Sequence, residues 1–141
     1  MKQVAKIACA LTIVCGSLAG SQMVAAHHSM AMYDSSRTVT LDGTLVEFRW
    51  GSPHVFLRID GKTKDGEQSS IWLLEASSPA NLLRLGGWSE TALKPGDRVR
   101  VEINPHREGE RKDARLNKLT LIDTGQQFVT LHRDAQPPRP Q

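Results

Sequence analysis

From Thr38 onward most apolar residues recur at every second position, and one segment breaks that rhythm. This period constrains the fold more than any other feature of the chain. Arg98 to Ile103 is the cleanest stretch, with Val99, Val101 and Ile103 on one side and Arg98, Arg100 and Glu102 on the other. Such alternation belongs to a strand with one buried face. Thr38 to Trp50 reads as a longer strand that changes phase. Val39, Leu41 and Leu45 share one face, then Val46, Phe48 and Trp50 take up the other, with Gly43 near the change. A glycine and a two-apolar step inside one strand predict a bulge or a sharp coil. His54 to Asp60 is a second strand, bounded by Gly51-Ser52-Pro53 before it and Asp60-Gly61 after it. Ser69 to Ala76 is a third, apolar on both faces and therefore expected to be central. Ala114 to Asp123 is a fifth, and Phe128 to Leu131 adds a short edge strand.

The interruption falls after the third strand. Ser78 suits a helix N-cap, because its hydroxyl can accept a backbone N–H of the first turn. Pro79 suits the first helical position, where its missing N–H costs nothing. Leu82, Leu83 and Leu85 form a short apolar stripe, and Gly86-Gly87 ends it. Trp88 to Leu93 is expected to add one more turn, and Lys94-Pro95-Gly96-Asp97 to turn tightly into the fourth strand. The order is three strands, a helix and two strands, with a long coiled first strand. It predicts a mainly β protein: a small five-stranded OB-like barrel with one short helix between strands 3 and 4. Another small antiparallel barrel or sandwich is the runner-up.

The ends read differently. Lys2 and Lys6 form a basic start, Ile7 to Leu18 is largely apolar, and Val24-Ala25-Ala26 places small residues before His27. That is the layout of a secretory signal peptide. Its apolar run is too short for a permanent span, which takes about 20 residues. The expected organisation is therefore a signal over residues 1–26, an N-terminal arm over 27–37, the barrel over 38–132 and a proline-rich tail over 133–141. A cut before Ala26 is the alternative. The expected location is periplasmic. Both cysteines, Cys9 and Cys15, lie within the signal, so the mature chain would hold no disulfide and no thiolate site. Loss of Lys2 and Lys6 lowers the formal charge from +3 to +1, which argues little for a polyanionic partner.

Several blocks occur together: His27-His28-Ser29, Trp50-Gly51-Ser52-Pro53-His54-Val55, Ser77-Ser78-Pro79-Ala80-Asn81-Leu82, Gly87-Trp88 and Leu93-Lys94-Pro95-Gly96-Asp97. Together they resemble a bacterial family of small exported proteins of unknown function. Members of that family read "HHS" after the signal, "NPH" before the second strand and "SPN" at the helix. This chain departs at Ser52, where the pattern has asparagine, and at Ala80, an extra residue inside "SPN". The resemblance spans nearly all of the mature chain. It implies export and a single domain, and it supplies no activity.

The candidate chemistry lies with histidine. A cut before His27 gives that residue a free α-amine, which can chelate one metal ion together with Nδ1. Another histidine, His28 or His54, would add a further nitrogen. A cut before Ala26 gives Ala-His-His, which also binds Cu(II) through backbone nitrogens. Amine and imidazole ligands suit Cu(II) best among the divalent first-row ions. The expected metal set is thus His27, His28 and His54, with Cu(II) the ion it fits. The competing reading is that the terminal histidines bind copper without a built site, and that His54 and His106 are turn residues bonded to backbone. No Ser-His-Asp order, paired carboxylates, phosphate loop or CxxC is present, so a non-enzymatic role is expected. Glu75 interrupts an apolar strand, and its plain role is to pair with an arginine or cap backbone amides. The alternative function is a binding module for an oligosaccharide or a protein in the periplasm, with Trp50, Phe56 and Trp72 as stacking surfaces beside Arg58, Arg98 and Arg100. The plainer view makes these aromatics core and the arginines a solvated face. Nucleic acid is not an expected partner of an exported chain, and no membrane span is expected after signal removal.

Overall fold

The computed structural model describes residues 31–63 and 67–130. The compact unit described below begins at Tyr33. Its elements are β1 (Val39–Arg49), β2 (Phe56–Lys62), β3 (Ser70–Glu75), α1 (Pro79–Leu85), β4 (Arg98–Pro105), β5 (Asp113–Leu121) and β6 (Gln127–Val129). The strands follow the order β3-β2-β1-β4-β5-β6, and β3 also pairs with β5. That last pairing is parallel, Leu73 to Asp113 through Glu75 to Arg115, and it closes five strands into a barrel. β6 lies outside the ring, on the free edge of β5. The OB-like architecture expected from the element order is the one observed.

The alternation in the sequence becomes the inside and outside of the barrel. Leu41, Leu45, Leu57, Ile59, Trp72, Leu74, Val99, Val101, Ile103, Leu116 and Leu119 are all buried in one core. On β4 the outward Arg100 donates two hydrogen bonds to Asp42 on β1, at 2.7 and 2.8 Å. The bulge in β1 falls at Val46, between Leu45 and Glu47 in the register with β2. Gly43 serves a different purpose. It faces Gly61 across the β1–β2 pair, and a Cβ at Gly43 would come within 2.7 Å of the Gly61 Cα. Two strands cross there closer than side chains permit. At the bulge, Leu45 bonds instead to the turn before β4, through Leu45 N–H to the Asp97 carbonyl at 2.9 Å and Gly96 N–H back to the Leu45 carbonyl at 2.8 Å. Gly96 has a φ of 95°, a conformation that favours glycine.

One expectation needs correction. β3 is paired on both edges, but its outer face is open to solvent at Ile71 and Leu73, so the strand is central in pairing and not in burial. The stretch from Trp88 to Leu93 adds the one further turn expected of it, with Ala92 N–H bonded to the Ser89 carbonyl. The helix itself starts as read, with Asn81 N–H bonded to the Ser78 hydroxyl and Pro79 in the first turn. Of its apolar stripe only Leu82 is fully buried, while Leu83 is exposed. Trp88 is held against Phe128 with ring centroids 5.0 Å apart, and its indole N–H donates to the Val129 carbonyl at 2.9 Å. β6 thereby gains a side-chain tie to the loop after α1.

Candidate functional site

The β3–β5 seam carries an unusual outer face. By alternation, residues that follow the core positions Leu74 and Ala114 point away from the core. Those residues are Glu75 and Arg115, which stand opposite each other in the parallel register. Both are buried nonetheless, as are their neighbours Asn104 and His106 at the end of β4. The cover includes the segment before β1. Tyr33 forms an isolated bridge to His106, Asp34 N–H bonds to the Pro105 carbonyl at 2.9 Å, and Tyr33 is almost wholly buried. Asn104 ties this segment to the seam. Its amide N–H₂ donates to the Arg37 carbonyl at 2.7 Å, and its Oδ1 accepts from Arg115 Nη2 at 3.1 Å.

Glu75 is the centre of the group. Tyr33 donates a hydrogen bond from its hydroxyl to Glu75 Oε2 at 3.1 Å, and His54 Nδ1 lies in close contact with Glu75 Oε1. One carboxylate therefore orients both a phenol and an imidazole. Burial pushes the Tyr33 phenol well above its ordinary value, and the adjacent Glu75 charge and hydrogen bond push it further the same way. The phenol thus stays a proton donor to Glu75. His54 reaches the site from the loop between β1 and β2, directly after a cis Ser52–Pro53 peptide. Its neighbour Val55 anchors that loop, since Val55 N–H bonds to the Ser77 carbonyl and Ala76 N–H to the Val55 carbonyl. The His54 side chain is 24% exposed and Glu75 is 8% exposed. A proton on Nδ1, directed at Glu75, leaves Nε2 as the ring's lone-pair nitrogen. An imidazole held by a carboxylate through one nitrogen is the usual posture of a metal ligand that binds through the other.

Of the expected metal set, His54 is the member that can be located; His27 and His28 lie outside the described residues. Among the described residues no three histidine, cysteine or acidic side chains converge as a complete metal site. His106 keeps the plain role of a turn histidine, since its Nδ1 accepts the Glu108 N–H at 3.0 Å. Its ring meets Tyr33 edge-on at a centroid distance of 6.1 Å. Glu75 pairs with His54 and Tyr33, and it stands opposite Arg115 in the register. Asn81 bonds to Ser77, and Arg84 is exposed on the helix. Tyr33, Asn104 and Arg115 went unread as site residues. The one local signal was the lone acid in the apolar third strand.

The aromatic surface of the alternative reading does not assemble. Trp72 is core, Trp50 packs on Phe48, and Phe56 carries Arg49 over its ring at 4.9 Å. Arg98 pairs with Asp123, Arg100 with Asp42 and Arg58 with Glu47. Among the described residues no helix is long and apolar enough to cross a membrane.

A family model for DUF6152, a family of unknown function, matches residues 14–115. The chain belongs to that family. The match takes in Tyr33, His54, Glu75, Asn104, His106 and Arg115, and so covers the whole buried group on the seam. Neither the comparison with curated proteins nor that with solved structures returned a match.

Proposed function

We propose that this DUF6152 protein is an exported, non-enzymatic metal-binding protein. It binds Cu(II), or a similar divalent ion, through the histidines of its mature N-terminus and His54 of the barrel. The observation that carries this reading is the His54–Glu75 contact. A half-buried imidazole is fixed through Nδ1 by a carboxylate that is itself held by a tyrosine, which leaves Nε2 as the nitrogen that could bind a metal. Such support fixes ring orientation and raises the basicity of the ligating nitrogen. A site built this way differs from a terminal histidine that picks up copper without a folded partner. His27 and His28 would supply the amine and imidazole donors that Cu(II) prefers.

The test is a Cu(II) titration of mature protein that starts at its native first residue. An N-terminal Gly-Ser extension displaces the α-amine and should weaken binding at least tenfold, which is about 1.4 kcal/mol. His54→Ala should weaken it by a similar factor. Glu75→Gln should weaken it in the range of about 10- to 100-fold, as loss of an outer partner does in other metal sites. Unchanged affinity after the extension would remove the terminal ligands from the reading. Unchanged affinity in His54→Ala would leave the terminus alone as an adventitious binder.

A further inference from the structure

We propose that the outer face of β1, β2 and β3 docks an acidic segment of a partner protein that carries large apolar side chains. A cleft of about 440 Å³ lies on this face. Apart from Lys112, its lining comes entirely from the three strands: Glu47 and Arg49 on β1, Phe56 and Arg58 on β2, Ile71 and Leu73 on β3. Such a cleft is the surface of a sheet, which favours a chain laid across it over an enclosed small molecule. The apolar part is contiguous. Ile71 and Leu73 lie two positions apart on one strand and share its outer face, where both are exposed. Arg58 stands opposite Leu73 and Glu75 opposite Phe56, so the partly buried Phe56 ring lies on the diagonal from Leu73, within reach of it. A lone exposed leucine needs no account. Three large apolar side chains together, rimmed by charge, mark an interaction surface.

Charge selects the partner. Arg49, Arg58 and Lys112 line the cleft against a single carboxylate, Glu47. Glu47 lies 3.6 Å from Arg58, and both side chains are about half exposed, so opening that pair costs little. The Arg49 guanidinium sits 4.9 Å from the centroid of the Phe56 ring, and a stacked guanidinium still offers N–H donors at its edge. The other acids nearby are engaged elsewhere. Asp60, opposite Ile71, accepts the Ser69 hydroxyl at 2.6 Å, and Asp113, opposite Leu73, pairs with Arg111. The rim is therefore positive, and it calls for carboxylates beside the apolar side chains that cover Phe56, Ile71 and Leu73. The chain's own ends lack that charge. Residues 1–30 hold Lys2 and Lys6 and no acid, and residues 131–141 hold Arg133 and Arg139 against Asp134. A planar bilayer cannot follow a concavity, whereas a chain segment can lower side chains into it.

The experiment follows backbone amides by ¹⁵N-edited NMR in the mature protein, with EDTA present so that its outcome is independent of the metal reading. The probe is an eight-residue peptide that alternates glutamate with leucine and is blocked at both ends. Saturable shifts should centre on Phe56, Arg58, Ile71 and Leu73. A peptide with serine for leucine keeps the charge, and one with glutamine for glutamate keeps the apolar side chains. Each should bind about tenfold more weakly or worse. Leu73→Asn and Arg58→Gln alter exposed side chains, should leave the fold intact, and should each weaken binding about fivefold or more. No shifts at millimolar peptide, shifts centred elsewhere, or unchanged affinity in either variant would overturn the proposal. Concentration-dependent broadening of the same resonances without peptide would make the occupant a second copy of this chain, and would overturn it too. So would tighter binding of anionic phosphatidylglycerol vesicles than of peptide by this face, which would make the occupant a bilayer.

Discussion

Tyr33 is the chain's only tyrosine, so tyrosinate absorbance reports on a single hydroxyl. Burial and the neighbouring Glu75 carboxylate hold that hydroxyl in its neutral form beyond the ordinary range. In the unfolded chain the phenol gives up its proton near the reference value of about 10. Above that pH the unfolded state gains by ionising while the folded state keeps its proton. The contribution of Tyr33 to stability is therefore complete below pH ~10 and is lost as pH rises toward the folded value. Absorbance titration of folded protein should show ionisation delayed beyond that of the denatured chain, and coincident curves would mean that Tyr33 is not held by Glu75. In urea denaturation, wild type should lose more stability than Tyr33→Phe between about pH 8 and pH 11. At neutral pH the same variant leaves a buried carboxylate oxygen without its phenol donor, and should be less stable by about 1–3 kcal/mol. None of this was legible from local spacing. Tyr33, His54, Glu75 and Arg115 come from four separate places in the chain, and the β2–β3 pairing, the β3–β5 closure and the Tyr33–His106 bridge bring them together. The sequence could flag Glu75 as a charge in an apolar strand, but not name its partners.

At the scale of elements, the legible features were those written in adjacent residues. Ser78-Pro79 marked the helix start, and alternation marked each strand to within a few positions. The phase change in β1 was also visible, although its cause was split between two residues. Val46 is the bulge, while Gly43 permits the close crossing with Gly61. Gly43→Ala should then act through packing against backbone, which cannot rotate away as a side chain can. A loss of at least about 2 kcal/mol in denaturant unfolding is expected. Gly51→Ala is the matching control, because a Cβ there would meet nothing within 4 Å. Equal stability for the two variants would show that the crossing is looser than described. Val101 is fully buried on the cleanest alternating strand, and Val101→Ala should cost roughly 1–3 kcal/mol from lost burial and a residual cavity. The outer face of β3 was misjudged for a physical reason. Ile71 and Leu73 are apolar, yet apolar residues are common on protein surfaces, so composition on two faces does not establish burial on both.

At the scale of the whole molecule, the barrel and the proposed metal site are thermodynamically linked. On the export reading, the periplasmic protein should have lost the mass of residues 1–26, which intact-mass measurement would establish; retention of them would withdraw the free His27 amine. A ligand stabilises a fold only by the amount its affinity for the folded state exceeds that for the unfolded state. The unfolded mature chain keeps its α-amine, His27 and His28, and so keeps every ligand an adventitious terminal site needs. It does not keep His54 oriented by Glu75, because that pair depends on the β2–β3 register and the seam. If the terminus alone binds, Cu(II) should leave the unfolding midpoint where it was. If the barrel supplies His54, Cu(II) should raise the midpoint, by up to about 2.7 kcal/mol of stability at a free concentration one hundred times Kd. In His54→Ala that increment should collapse even though the terminal histidines remain. Copper that raises the stability of wild type and of His54→Ala equally would place the folded ligand elsewhere in the barrel. Copper that raises neither would leave the terminus as a passive chelator.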